Sequence, residues 1–297
     1  MQLSPDDLSY LVECAISAAK QAGALIESYA HKTVKIKHKS GGDSIASQVV
    51  TEVDLLSEAI IVKELEPTCK KYDLALLTEE REDDKARLEK DYFWCVDPMD
   101  GTLAFTEATS GYSVSIALVT KSGEAVIGVV YDPVSQTLYS SVTGQGVFRN
   151  GTAWRTSMES GQDKMLTLVC DRGFSAKPYY ETLCKALAVM ATENDMAGLQ
   201  VVEKNGAVLN ACFVLENSPA CYIKLPKPEQ GGGSLWDFSA TSALFMSAGS
   251  VVSDVYGDPL DLNRVDSTYM NHRGVLFVTN HFLAENIRKL LASNCDI

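Results

Sequence analysis

"WCVDPMDGTLAF", residues 94–105, ends an apolar run on two aspartates, Asp97 and Asp100, with Gly101 and Thr102 directly behind them. Side chains alternate along a strand, so two acids three positions apart face opposite ways unless the chain bends between them. Pro98 predicts that bend. Gly101 then allows backbone dihedrals closed to other residues. Thr102 can open a helix whose unpaired N–H groups and positive dipole end lie beside the acids. Carboxylates that hold a cation, backed by N–H donors that hold the anion it attracts, make a phosphate-binding device.

Other acids fall where elements begin or end. Glu79 and Glu80 close the apolar run "LALLTEE" (74–80), and Asp237 opens the helical pattern "WDFSATSALFMSAG" (236–249). Taken singly, each has a plain reading. Glu79 and Glu80 lead into the charge run "EEREDDKARLEK", Asp237 suits a helix first turn, and Asp54 in "VVTEVDLLSE" is an ordinary helix acid. Taken together, carboxylates converging from separate ends repel one another and need a cation. A donor set of oxygens without His or Cys favours a hard ion such as Mg²⁺. A covalent phospho-aspartate mechanism of the D-x-D-G-T kind is not expected, because Pro98 stands where its nucleophile would be.

Composition narrows the partners. The 297 residues carry a formal charge of -13, with 26 Lys and Arg against 39 acids, which argues against a nucleic-acid polymer as ligand. Eight scattered cysteines form no C-x-x-C pair, so they read as reduced core thiols rather than a zinc site. Asp6 and Asp7 occupy the start, and no apolar stretch reaches membrane-spanning length. The expectation is a cytoplasmic protein without membrane contact.

Ser4-Pro5-Asp6-Asp7 predicts the cap of an opening amphipathic helix. In residues 31–48, Val34 and Ile36 alternate with Lys35 and Lys37 before a Gly/Ser-rich stretch, which predicts a strand or hairpin arm running into a mobile loop. A helix over about 51–65 follows, and then short apolar runs that predict a meander sheet. Beyond Asn150-Gly151 strands interleave with helices near 178–191, 206–216, 236–248 and 281–293, as in an α/β half. The expected division is residues 1–155, with most of the acids, and residues 156–297, with Asp237 and a substrate-side loop.

In this order, "VTEVD" (50–54), "LTEE" (77–80), "DPMDGT" (97–102), "GYSVSIALV" (111–119), "GVVYDP" (128–133), "WDFSAT" (236–241) and "GDPLDL" (257–262) resemble the inositol monophosphatase superfamily of lithium-sensitive phosphomonoesterases. The resemblance implies an α/β fold, a layered αβαβα sandwich with the site between its halves, two or three Mg²⁺ per site, and often a homodimer. It implies that Glu79, Asp97 and the Met99 carbonyl hold one ion, and that Asp97, Asp100 and Asp237 hold another. Glu79 and Thr102 would orient the attacking water, with Asp54 accepting from the Thr102 hydroxyl. Gly101 and Thr102 would offer N–H groups to the phosphate, and Glu80 would stand behind the ligands.

Substrate choice is less fixed. The residues after the motif, Leu103-Ala104-Phe105, match neither the inositol enzymes nor the bisphosphate nucleotidases. In the strand before the second motif, "CYIKLPKPEQGGGSLWD", Lys224 and Lys227 fall near the place where the inositol enzymes carry a glutamate. A cation there suits a second phosphate, although surface lysines remain the alternative. Lys35 and Lys37 read as attracting the anion or as a solvated strand edge. The expected substrate is a small phosphorylated metabolite, first a 3'(2'),5'-bisphosphate nucleotide, with Leu103 and Lys224 on the substrate side. Inositol monophosphate and an inactive phospho-ligand sensor are the alternatives.

Overall fold

Ser4 caps the first helix, α1 (Pro5–Tyr29). Its hydroxyl accepts from the Asp7 N–H at 3.2 Å, and the Asp7 carboxylate accepts from the Ser4 N–H at 3.0 Å. Pro5 begins the helix where no donor is needed. These elements come from a computed structural model that describes residues 2–30, 32, 36–38, 49–156, 163–203 and 205–293. The short strands β1 (Ile36–His38) and β2 (Val49–Thr51) pair antiparallel as the expected arm. Lys35, the Lys37 side chain and the Gly/Ser-rich stretch that follows lie outside the described residues.

Helix α2 (Glu52–Tyr72) continues past the predicted end at Leu65 and carries Pro67 inside it. Proline removes one helical hydrogen bond, but the last turns are held by packing. Thr68 and Tyr72 are buried, and the Trp94 indole N–H donates to the Thr68 hydroxyl at 2.9 Å. Next come β3 (Ala75–Thr78), β4 (Tyr92–Asp100), the short α3 (Thr102–Thr106), β5 (Ser113–Thr120), β6 (Ala125–Asp132), β7 (Thr137–Val142), β8 (Gly146–Arg149) and β9 (Thr152–Ala153). They form one seven-stranded sheet in chain order, with β3 parallel to β4 and every later pair antiparallel.

The rest of the chain supplies β10 (Leu166–Cys170), α4 (Tyr180–Glu193), β11 (Leu199–Glu203), α5 (Ala207–Glu216), β12 (Ala220–Lys224), α6 (Leu235–Ala248), β13 (Val251–Ser253), β14 (Val275–Val278) and α7 (His281–Ser293). The second sheet runs β11-β10-β12-β14-β13, with β10 parallel to both neighbours. Its strand β11 is missed by sequence patterning, because it sits at the sheet edge with Gln200 and Val201 exposed and so lacks a continuous apolar run.

Strand alternation sorts the core into layers. On β4, Trp94 and Val96 pack among residues of α1 and α2, while Phe93 and Cys95 pack with α5 and α6. A third cluster joins the outer face of the second sheet to α4 and α7. The layers are therefore helix, sheet, helix, sheet, helix, the αβαβα sandwich expected from the motifs. No helix among the described residues is long and apolar enough to cross a membrane. The seven described cysteines are free thiols, four of them buried.

Helix α6 lies tight on β6. A Cβ at Gly128 would stand 2.2 Å from the Ala240 carbonyl oxygen and 2.9 Å from the Ala243 Cβ. Gly128→Ala is expected to lower stability by about 1–3 kcal/mol through overpacking, read as a lower melting temperature. An unchanged melting temperature would mean that α6 packs more loosely than described.

Candidate active site

Residues 93, 95 and 97 of β4 share one face, the face turned toward α5 and α6. Asp97 pairs with Ser115 and Asp100 with Ser113, so three steps on β4 oppose two on β5. This register shift is a β-bulge, and it returns Asp100 to the face of Asp97. The bend expected at Pro98 takes this form. Asp97 and Asp100 are both buried. Asp237 reaches the same place from the first turn of α6, where its carboxylate accepts from the Ser234 N–H as part of a capping box. Oxygens of Asp97, Asp100 and Asp237 lie within 4.8 Å of one another. Glu79, one residue past β3, hydrogen-bonds the Asp97 carboxyl.

Behind Asp100 the chain turns through Gly101 at φ +86° into α3. A side chain at 101 would collide with the Gly111 carbonyl, 2.5 Å from the Cβ position, so the turn belongs to glycine on both counts. The Thr102 hydroxyl lies 2.9 Å from an Asp54 carboxylate oxygen, to which it donates, and 3.1 Å from the Met99 carbonyl. Asp54 also accepts from the Thr51 N–H and hydroxyl, both at 2.7 Å, and so caps α2. A hydroxyl has one proton. With Asp54 holding it, the remaining lone pairs of Thr102 are left to accept from water.

The site's electrostatics follow from crowding in a dry layer. Burial first, then the charges of Glu79, Asp100 and Asp237, pushes the Asp97 carboxyl well above the usual range. Burial and Asp237 do the same to Asp100, partly offset by the Val208 N–H. Burial raises Asp54 and Asp237 to about 6 each; bonds from Thr51 restrain Asp54, and Lys224 restrains Asp237. The donors are carboxylate oxygens with no His or Cys, which fits Mg²⁺. Asp97, Asp100 and Asp237 are the carboxylates grouped closely enough, among the described residues, to hold such an ion.

Six more residues shape the site without having been singled out by sequence. Asp100 accepts from the Ala207 and Val208 N–H groups, at 3.2 and 3.0 Å, at the start of α5. A Cβ on Gly206 would stand 2.3 Å from an Asp100 oxygen. Asp171, just past β10, pairs with Lys224 at 2.9 Å and accepts from Tyr222 and Asn210. It ends an apolar strand as Asp97 nearly does, and that position could have flagged it. Ser57 and Glu58 sit one turn beyond Asp54 on α2, a spacing that marks one helix face. Among the sequence candidates, Leu103 is half-buried on α3. The Lys227 N–H donates to the Asn271 carbonyl at 2.9 Å, and the Lys227 carbonyl accepts from the Asn271 side-chain amide at 3.1 Å, beside the glycine-rich loop.

An αβαβα sandwich whose inner layer gathers strand-end carboxylates beside a glycine turn defines a metal-dependent phosphomonoesterase. Residues 7–293 match the model of the inositol monophosphatase family, and the chain belongs to that family, whose members are Mg²⁺-dependent phosphatases. The chain is 29% identical over 285 residues to inositol monophosphatase 1 of Rattus norvegicus, covering 94% of this chain and 93% of that one. It is 28% identical over 247 residues to the Nus factor SuhB of Escherichia coli K12, covering 83% and 86%. The fold matches that of inositol monophosphatase II of Staphylococcus aureus, solved with inositol monophosphate and with 2'AMP. That match has a TM-score of 0.67 at 20% identity, and in the inositol monophosphate complex it covers 94% of this chain and 92% of that one.

Two outcomes are expected. In chelator, the folded protein keeps protons on Asp54 and Asp237 up to about pH 6, while the unfolded chain releases them near the ordinary 3.8. The folded state then binds more protons in that window, so stability falls as pH rises through it. Melting temperature should drop between pH 5 and 7 without Mg²⁺ and hold steady with it; a rise in chelator would contradict the burial described. Gly206→Ala should displace Asp100 and weaken Mg²⁺ binding by calorimetry, with unchanged binding as the contrary result.

Proposed function

We propose that this phosphatase hydrolyses a phosphomonoester bearing a second anionic group near the first, with adenosine 3',5'-bisphosphate, cleaved to AMP and phosphate, as the best reading. The observation that carries it is Lys224. Its side chain is 14% exposed, and its ammonium stands 5.3 Å from the ring centre of Phe238, next in sequence to Asp237, and pairs with Asp171. Burial works against its charge, and the carboxylates of Asp171, Asp237 and Asp100 outweigh that effect, so its pKa sits above the ordinary value. A permanently charged lysine at the rim of an acidic centre supports recognition of an anion that the acids alone would repel. The 2'AMP complex of the staphylococcal enzyme supports a nucleotide entering a site of this fold.

The roles of the chain's groups follow from their placement. Asp54 holds the Thr102 proton, so that Thr102 and Glu79 orient a water toward the phosphorus. The N–H groups that open α3 behind Gly101 would donate to the phosphoryl oxygens, where charge grows in the transition state. Asp97, Asp100, Asp237 and the Met99 carbonyl provide the seat for Mg²⁺. When bound, Mg²⁺ supplies a Lewis acid that lowers the pKa of water and offsets negative charge on the phosphoryl group. No side chain needs to form a bond to phosphorus.

Inositol monophosphate is the second reading. The names of the relatives favour it, as does Asp171, which already occupies Lys224 with an ion pair. Comparing kcat/KM for adenosine 3',5'-bisphosphate, 2'-AMP and inositol 1-phosphate in Mg²⁺ decides between them, and a strong preference for the inositol ester ends the first. Lys224→Gln keeps a hydrogen bond to Asp171 and removes the charge. It should cut kcat/KM for the bisphosphate roughly tenfold or more, the scale of one hydrogen bond to a charged group, and affect inositol 1-phosphate much less. Equal effects on both substrates would rule out contact between Lys224 and a second anion.

A further inference from the structure

Three buried polar side chains project from one side of α2 at positions i, i+3 and i+4: Asp54, Ser57 and Glu58. A buried polar group persists where it is bonded, and each of these bonds a different site-forming segment. Asp54 receives the Thr102 hydroxyl at the head of α3. Ser57, fully buried, donates to the Pro98 carbonyl at 2.7 Å, inside the bulge between Asp97 and Asp100. Glu58 receives the Thr78 hydroxyl with one oxygen and the Arg81 Nε at 3.2 Å with the other. Thr78 and Arg81 flank Glu79 and Glu80, so one carboxylate grips the chain on both sides of that pair.

Ser57 fixes the Pro98 carbonyl, and with it the plane of the Pro98–Met99 peptide; the following carbonyl, that of Met99, lies 3.1 Å from the Thr102 hydroxyl. The Met99 N–H completes the bulge by donating to Asp97 at 3.0 Å. The direction of the Met99 carbonyl and the stance of Asp97 therefore share one anchor. Glu58 does the same for the end of β3.

We propose that Ser57 and Glu58 are positioning residues of the metal centre: Ser57 sets the bulge that aims the Met99 carbonyl and Asp97, and Glu58 sets the segment that carries Glu79. The proposal rests on the reading of these groups as Mg²⁺ ligands. Partners one bond behind metal ligands are typically worth 10–100-fold in metal affinity or activity.

The test is Mg²⁺ affinity by titration calorimetry on folded protein, with Ser57→Ala, Ser57→Thr, Glu58→Gln and Asp237→Asn beside the parent. Ser57→Ala and Glu58→Gln should each weaken Mg²⁺ binding roughly tenfold or more, and Ser57→Thr, which keeps the hydroxyl, should restore it. A generally loosened fold would lower the melting temperature in chelator without this rescue. Asp237→Asn touches neither residue and isolates the underlying reading. If it binds Mg²⁺ as the parent does, the metal-centre reading fails and the proposal falls with it. If Asp237→Asn loses affinity while Ser57→Ala and Glu58→Gln do not, the positioning role alone is overturned. Should Ser57→Ala not fold, Thr78→Val carries the comparison, because it removes one of Glu58's bonds at nearly constant volume. Parent-like affinity in Thr78→Val and Glu58→Gln then overturns the role of Glu58, and with it the shared template.

Discussion

Three carboxylates that approach within 4.8 Å in a buried layer set the terms for the rest of this molecule. Asp97 and Asp100 are buried and Asp237 half-buried, so water screens them poorly and their mutual repulsion is relieved by holding a proton, sharing one or facing a cation. Their raised pKa values express that conflict, and it is the source of the site's affinity for a hard divalent ion. Keeping such groups together needs surroundings that do not yield. Asp100 is held by two backbone N–H groups of α5, Asp237 by its own helix cap, and Asp97 by the N–H of Met99. Asp97 and Asp100 come from β4 and Asp237 from α6, and packed helices and sheets on both sides prevent these elements from drifting apart.

Much of this was legible in residues 94–105. The two acids, the proline between them and the glycine behind them required a bent strand end and a helix start, and both occur. The helices at Pro5, Ala207, Leu235 and His281 begin within two residues of where capping and periodicity put them. Other features could not be read. Strand β11 has no apolar signature, because an edge position leaves side chains in solvent. The persistence of α2 through Pro67 depends on Trp94 reaching Thr68 from a distant strand. Ser57 and Glu58 looked like residues of an ordinary amphipathic helix, since only tertiary contact turns a serine hydroxyl into an anchor for a remote carbonyl.

Lys224 illustrates a charge whose meaning depends on its neighbours. Sequence gave its position relative to the second motif but not Asp171, which comes from another strand and takes up part of its charge. Tyr222 and Asn210 hold Asp171 in turn, so the lysine belongs to a fixed polar network and not to a free side chain. Such a network fixes the position of the ammonium, because moving it means breaking several bonds together.

Chain order has a consequence for biosynthesis. The inner face of the seven-stranded sheet, complete by residue 153, is covered by α6, which spans residues 235–248. A polypeptide emerging from the ribosome at about 5–20 residues per second keeps that apolar face bare for several seconds before its cover is made. The nascent chain is thus a natural client for chaperones. A chain ending before Leu235 would lack α6 and leave that apolar face of the sheet without its covering helix.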